Sequence, residues 1–213
     1  MQPFHNDSTL QKQYRYLLSA ANCSHIACLR SLPQEDLASA ANQSYFTAYG
    51  HGEYGYGEFY YGPYVDGDVI QDLPSQEFKK GHFAKVPLMI NREGYEGTLF
   101  SNSSETTTSQ MQQDLETLFP NAKQSFFNRL YELYPRTAYN STFFQRQQLF
   151  GDFIISCPTY YFGAAVSDWD NPVYKMVFDA GSQVHGSLIP FTETVNLEGK
   201  NNFRFDIKCF FLQ

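Results

Sequence analysis

No G-x-S-x-G stands anywhere in these 213 residues, so a nucleophilic serine on a strand–turn–helix elbow has no candidate position. A basic cluster is missing too: 15 Lys and Arg stand against 22 Asp and Glu, a net charge of −7. Phosphate backbones are held by a Lys/Arg footprint, so nucleic acid is excluded as the expected partner. No uninterrupted apolar run approaches membrane-spanning length, and no membrane span is predicted. The 4 cysteines and 5 histidines do not fall at zinc-ligand spacing, so no metal is expected. Met1-Gln2-Pro3-Phe4-His5-Asn6-Asp7 has neither a positive n-region nor an apolar h-region and is no signal peptide.

What is present describes a folded chain. The composition, 42% hydrophobic and 17% charged, is that of a globular domain or a large piece of one. Five N-x-[ST] sequons, at Asn6, Asn22, Asn42, Asn102 and Asn140, predict a glycosylated, secreted protein. With secretory signs and no entry signal, the beginning of a longer chain is expected to be missing. Cys23 and Cys28 lie close together. Bridged, they would close a short loop and contribute about 2 kcal/mol; in a reducing compartment they would be two thiols.

Apolar spacing predicts helices over 9–19, where Leu10, Tyr14, Leu17 and Leu18 make a stripe, and over 33–41, opened by Pro33 in its first turn. Residues 45–64 read as an aromatic, glycine-rich loop over a pocket mouth. Gly50-His51-Gly52-Glu53-Tyr54-Gly55 matches G-x-G-x-x-G in form only, because no strand precedes it and no helix follows. Val65-Asp66-Gly67-Asp68-Val69-Ile70 reads as a turn between β-formers, and a short helix is expected near 74–81. Val86-Pro87-Leu88-Met89-Ile90 predicts a strand buried on both faces. Helices follow over 105–118, 122–134 and 141–166, then a strand over 173–179.

Glu96, in Tyr95-Glu96-Gly97-Thr98-Leu99-Phe100, follows the first strand; His185, in Val184-His185-Gly186-Ser187, follows the second. Taken alone, each also fits a surface acid and a structural histidine. Together they have the types and order of a catalytic carboxylate and base, and catalytic groups of open α/β sheets gather at the carboxyl ends of strands. An imidazole can take a proton from an attacking hydroxyl, and a buried carboxylate fixes its tautomer and stabilises the imidazolium. Glu93, three residues before Glu96, is a minor rival for the acid role. Ser101, Ser182 and Ser187 lie nearby in sequence but on no elbow. His5, His25, His51 and His82 read as surface groups.

Six segments in order carry a resemblance: Cys28-Leu29-Arg30-Ser31-Leu32-Pro33; Val65-Asp66-Gly67-Asp68; Phe83-Ala84-Lys85-Val86-Pro87; Glu96-Gly97-Thr98-Leu99-Phe100; Asp152-Phe153-Ile154 with Cys157-Pro158; and His185-Gly186-Ser187 with Ile189-Pro190. Over residues 3–191 the chain resembles the middle and later part of the type-B carboxylesterases, the family of cholinesterases and fungal lipases. The resemblance implies a partial α/β-hydrolase fold, the C-terminal part of the sheet with its covering helices. It places Glu96 as triad acid and His185 as triad base, and pairs Cys23 with Cys28 in a disulfide. It implies carboxylic ester hydrolysis through an acyl-serine, without metal or cofactor, on a small-molecule or lipid ester.

The resemblance begins after the family's nucleophile elbow and oxyanion loop, so the chain by itself is expected to be inactive. Cholinesterase-like adhesion proteins that bind partners without catalysis are the alternative. Residues 1–191 are expected to form part of one hydrolase domain, and 192–213 a divergent tail outside it.

Overall fold

In the computed structural model, residues 4–192 are described; the expected tail lies outside them except for its first residue. In chain order the elements are helices α1 (Asp7–Ala20), α2 (Ile26–Ser31), α3 (Gln34–Gly50) and α4 (Pro74–Lys80), strand β1 (Leu88–Glu93), helices α5 (Thr108–Leu118), α6 (Gln124–Leu133), α7 (Thr142–Gly151) and α8 (Cys157–Ser167), strand β2 (Val173–Phe178) and a last short helix, α9 (Ile189–Thr192). They fall into two compact units, one built from residues 72–106 and 128–192, the other from 4–71 and 107–127.

The second of these units is helical with an aromatic core. Asn6 opens α1 by accepting from the Thr9 N–H at 2.9 Å, satisfying a donor the first turn leaves unpaired. α3 runs well past the predicted 33–41. Ala40, Ser44 and Ala48 recur every four residues and are all buried, so one small-residue face carries the helix on through Tyr45 and Tyr49 to Gly50. Pro33 is its N-cap rather than a first-turn residue. The segment expected to drape a pocket mouth turns inward instead: Tyr54 and Tyr60 are buried with Ala48, and Tyr16 and Tyr45 pack against them. Aromatic rings bury large apolar areas, which outweighs the polar look of the glycines between them. α5, opened by a capping box of Thr107 with Gln110, belongs to this unit and buries Met111, Leu115 and Leu118.

The first unit carries the sheet. β1 and β2 pair in parallel, Leu88 opposite Val173 through Glu93 opposite Phe178. β1 lies later than the predicted 86–90, starting just after Pro87, which has no N–H to give a ladder. Its expected burial on both faces is corrected: Ile90 is buried under α8, while Met89 beside it is 75% exposed. In the helical unit, residues 65–70 form the expected turn, with the Asp66 carboxylate accepting from the Asp68 and Ile70 N–H groups at 3.0 and 2.9 Å.

The predicted single segment 141–166 divides into α7, a π-helical turn (Asp152–Ser156) and α8. Pro158 accounts for the division, because a proline inside an α-helix removes one hydrogen bond and clashes with the preceding turn. A wide turn just before it places the proline in the first turn of α8, where its missing N–H is not needed. Leu149, Phe150, Ile154 and Val166 form the buried face of this tract.

Candidate active site

Both strands of the parallel pair end at the same edge, so the loops that leave them meet. Beyond the paired strands, Tyr95 bridges to Val184, and its N–H donates to the Gln183 carbonyl at 2.8 Å. This one extra rung brings together two loops that sequence reading could place only separately, one bearing Glu96 and the other His185.

The two side chains touch. His185 Nδ1 lies 2.7 Å from Glu96 Oε2, across 89 residues of chain. The carboxylate is nearly inaccessible, at 2% side-chain exposure, whereas the imidazole is 42% exposed. A buried carboxylate accepting from Nδ1–H leaves Nε2 as the ring's free base, the tautomer an acid–base histidine requires. The Phe100 ring lies 5.1 Å from the imidazole, centroid to centroid, and gives it an apolar wall.

The second oxygen of Glu96 is held as well, Oε1 accepting from the Glu93 N–H at 2.6 Å. Glu93 is itself buried, and its Oε1 accepts from the Leu188 N–H at 3.1 Å. Burial is the main influence on Glu96 and pushes its acid above the ordinary carboxylate value. The Glu93 carboxylate beside it adds to that rise, while the Glu93 N–H and His185 oppose it.

Below the pair, Gly97 sits against α7, where Thr98 bonds to Gln147 and Ser101 Oγ donates to the Gly97 carbonyl at 2.8 Å. The buried Arg146 guanidinium donates to the Phe100 carbonyl at 3.0 Å and fixes the far side of the acid loop.

Among the described residues, one set of side chains could hold a cation: Glu93, Glu96 and His185, with donor atoms within 4.8 Å of one another. Two of the three, Glu96 and His185, are already turned toward each other. Of the nearby serines, Ser101 is buried, and Ser182 and Ser187 bond to one another at 2.7 Å. Sequence reading did not see that Glu93 binds both loops at once. The signal was present only as a second acid next to Glu96.

Cys23 and Cys28 are bridged. Between them, His25 accepts from the Cys28 N–H at 3.2 Å and opens α2, a helix the apolar spacing did not show. Asn6, Asn22, Asn42 and Asn140 are exposed and Asn102 is half-buried. No helix among the described residues is long and apolar enough to cross a membrane.

A model of the carboxylesterase family matches residues 1–210. The chain belongs to that family. The matched range includes most of the 192–213 segment. Lipase 2 of Geotrichum candidum is 34% identical over 74 residues, 34% of this chain and 13% of that protein. A secreted lipase of Arthroderma benhamiae is 28% identical over 146 residues, 65% of this chain and 25% of that protein.

Among solved structures, Aspergillus niger EstA superposes with a TM-score of 0.69 at 17% identity, over 89% of this chain and 40% of that one. A thermophilic PNB esterase superposes with a TM-score of 0.66 at 16% identity, over 89% and 39%. These likenesses give the fold: helices and a small parallel sheet that form part of an α/β-hydrolase. The chain thus spans well under half the length of the proteins it matches.

Proposed function

We propose that this chain supplies the acid and base of a serine carboxylic ester hydrolase, with Glu96 orienting His185. The contact between Glu96 Oε2 and His185 Nδ1 at 2.7 Å carries this reading. In that reaction a serine hydroxyl attacks the ester carbonyl while His185 Nε2 takes its proton. Glu96 stabilises the imidazolium, which then returns the proton to the leaving alcohol.

The buried acid and the half-exposed base suit these roles, because the base must meet substrate and the acid need not. The substrate is a small-molecule or lipid ester, and no metal or cofactor takes part. Nucleophile and oxyanion donors come from outside these residues, so the chain alone does not turn over esters. Triad members act as a unit, and without the nucleophile the pair has nothing to activate.

A secreted, glycosylated protein fits the five sequons, the Cys23–Cys28 bridge and the secreted lipase among its relatives. Residues 1–191 would then belong to the hydrolase domain and 192–213 would be a divergent tail.

The purified chain, assayed on a short-chain aryl ester, is expected to show no rate above background. Turnover that disappears in His185→Ala would overturn the inactivity. The hydrolase reading itself is tested with the coding sequence upstream of Met1 restored. A G-x-S-x-G there, with ester turnover falling on the order of 10³-fold or more in His185→Ala, supports it. An upstream sequence without that serine, or turnover indifferent to His185, overturns it in favour of a non-catalytic binding protein.

A further inference from the structure

We infer that Glu93 is a positioning residue that locks the acid and the base of this site into one unit. The inference rests on the hydrolase reading above and deepens it. Glu93 ends β1, and its two ends are used in opposite directions. Its backbone N–H donates to Glu96 Oε1 at 2.6 Å. Its carboxylate Oε1 accepts from the Leu188 N–H at 3.1 Å, 95 residues away and three positions beyond His185. One residue thereby fixes the free oxygen of the acid and the far side of the loop that carries the base.

Packing alone does not account for a glutamate here. Glu93 is 6% exposed and Glu96 3%. Two carboxyl groups in one buried site repel, and each costs solvation that an apolar side chain of the same size would not. An apolar residue would also offer no acceptor to the Leu188 N–H, which the Glu93 carboxylate holds. Among the described residues, charged and titratable groups facing Glu93 include Glu96, His185 and, on its own strand, Arg92, whose Nη1 donates to the Glu93 carbonyl at 3.0 Å.

The test compares Glu93→Gln, which keeps an acceptor oxygen, with Glu93→Ala, which removes it, in the purified chain by NMR. Hydrogen exchange of the Leu188 amide is expected to speed about tenfold or more in Glu93→Ala, relative to the Ile90 amide, and to stay within about twofold of wild type in Glu93→Gln. The titration midpoint of the Glu96 carboxyl carbon is expected to move down in Glu93→Gln, because the like charge beside it is gone. A Glu93 that only filled space, with its carboxylate turned away from Glu96, would not produce that second change. Where Glu93→Ala does not fold, Glu93→Met removes the acceptor while preserving bulk.

Unchanged Leu188 exchange in the variant lacking the acceptor, or an unmoved Glu96 midpoint in Glu93→Gln, overturns the inference. Neither readout uses ester turnover. Failure of the hydrolase reading would appear as activity indifferent to His185, with the Leu188 and Glu96 responses intact.

Discussion

Gly97 and Gly151 lie backbone against backbone. A Cβ built on Gly97 would come within 2.7 Å of the Gly151 nitrogen, and one built on Gly151 within 2.6 Å of the Gly97 nitrogen. Glu96 is therefore seated directly on the last turn of α7, and no side chain fits between the acid loop and that helix.

Gly97→Ala should cost about 1–3 kcal/mol through overpacking, since the atoms it strikes are backbone and cannot swing aside. Urea unfolding of the variant measures this. A midpoint equal to wild type would show that the loop can lift off α7.

Glu96 gives the pH dependence an unusual sign. An ordinary glutamate titrates near 4.5, and burial raises this one above that value in the folded chain. Between those two values the folded state holds more protons than the unfolded, so its contribution to stability declines as pH rises. The unfolding free energy of wild type minus that of Glu96→Gln is therefore expected to fall on raising pH above about 4.5. Asp66, held low by backbone N–H groups, and Asp72, held low by Lys80, act in the opposite sense, but equally in both proteins. A difference that does not vary with pH would contradict the raised acid.

The places of Glu96 and His185 were legible in the chain because both lie in short motifs just beyond the apolar runs that mark the two strands. The meeting of those motifs was not legible, since it depends on a parallel register and on the Tyr95–Val184 rung between distant residues. Helix lengths erred where local composition misleads. Tyr45 and Tyr49 read as loop because glycines follow closely, yet the face Ala40, Ser44 and Ala48 carries α3 past them. The break at Asp152–Ser156 was signalled in the sequence by Pro158 alone, which a reading of 141–166 by apolar spacing passes over.

The Cys23–Cys28 bridge closes a loop of sequence separation 5. Replacing both with alanine should lower stability by about 2 kcal/mol, seen as a reduced denaturation midpoint under oxidising conditions. A variant as stable as the parent would mean that the loop is already ordered without its bridge.

Glycan attachment is checked by mass spectrometry after expression in a secreting host, before and after enzymatic deglycosylation. The exposed Asn6, Asn22, Asn42 and Asn140 are expected to carry glycans. At Asn6, Oδ1 accepts from Thr9 while a sugar would occupy the amide nitrogen, so α1 keeps its cap. Unmodified asparagine at all of the sequons would remove the main sign of secretion.

Because β1 and β2 run in the same direction, the path from the end of one to the start of the other is a detour that returns to its own side of the sheet. Its outlying stretches can lengthen or shorten across descendants without moving the points where the two loops emerge. The parts of that detour pressed against the strands and their loops, α7 at Gly97 and α8 at Ile90, are denied this latitude.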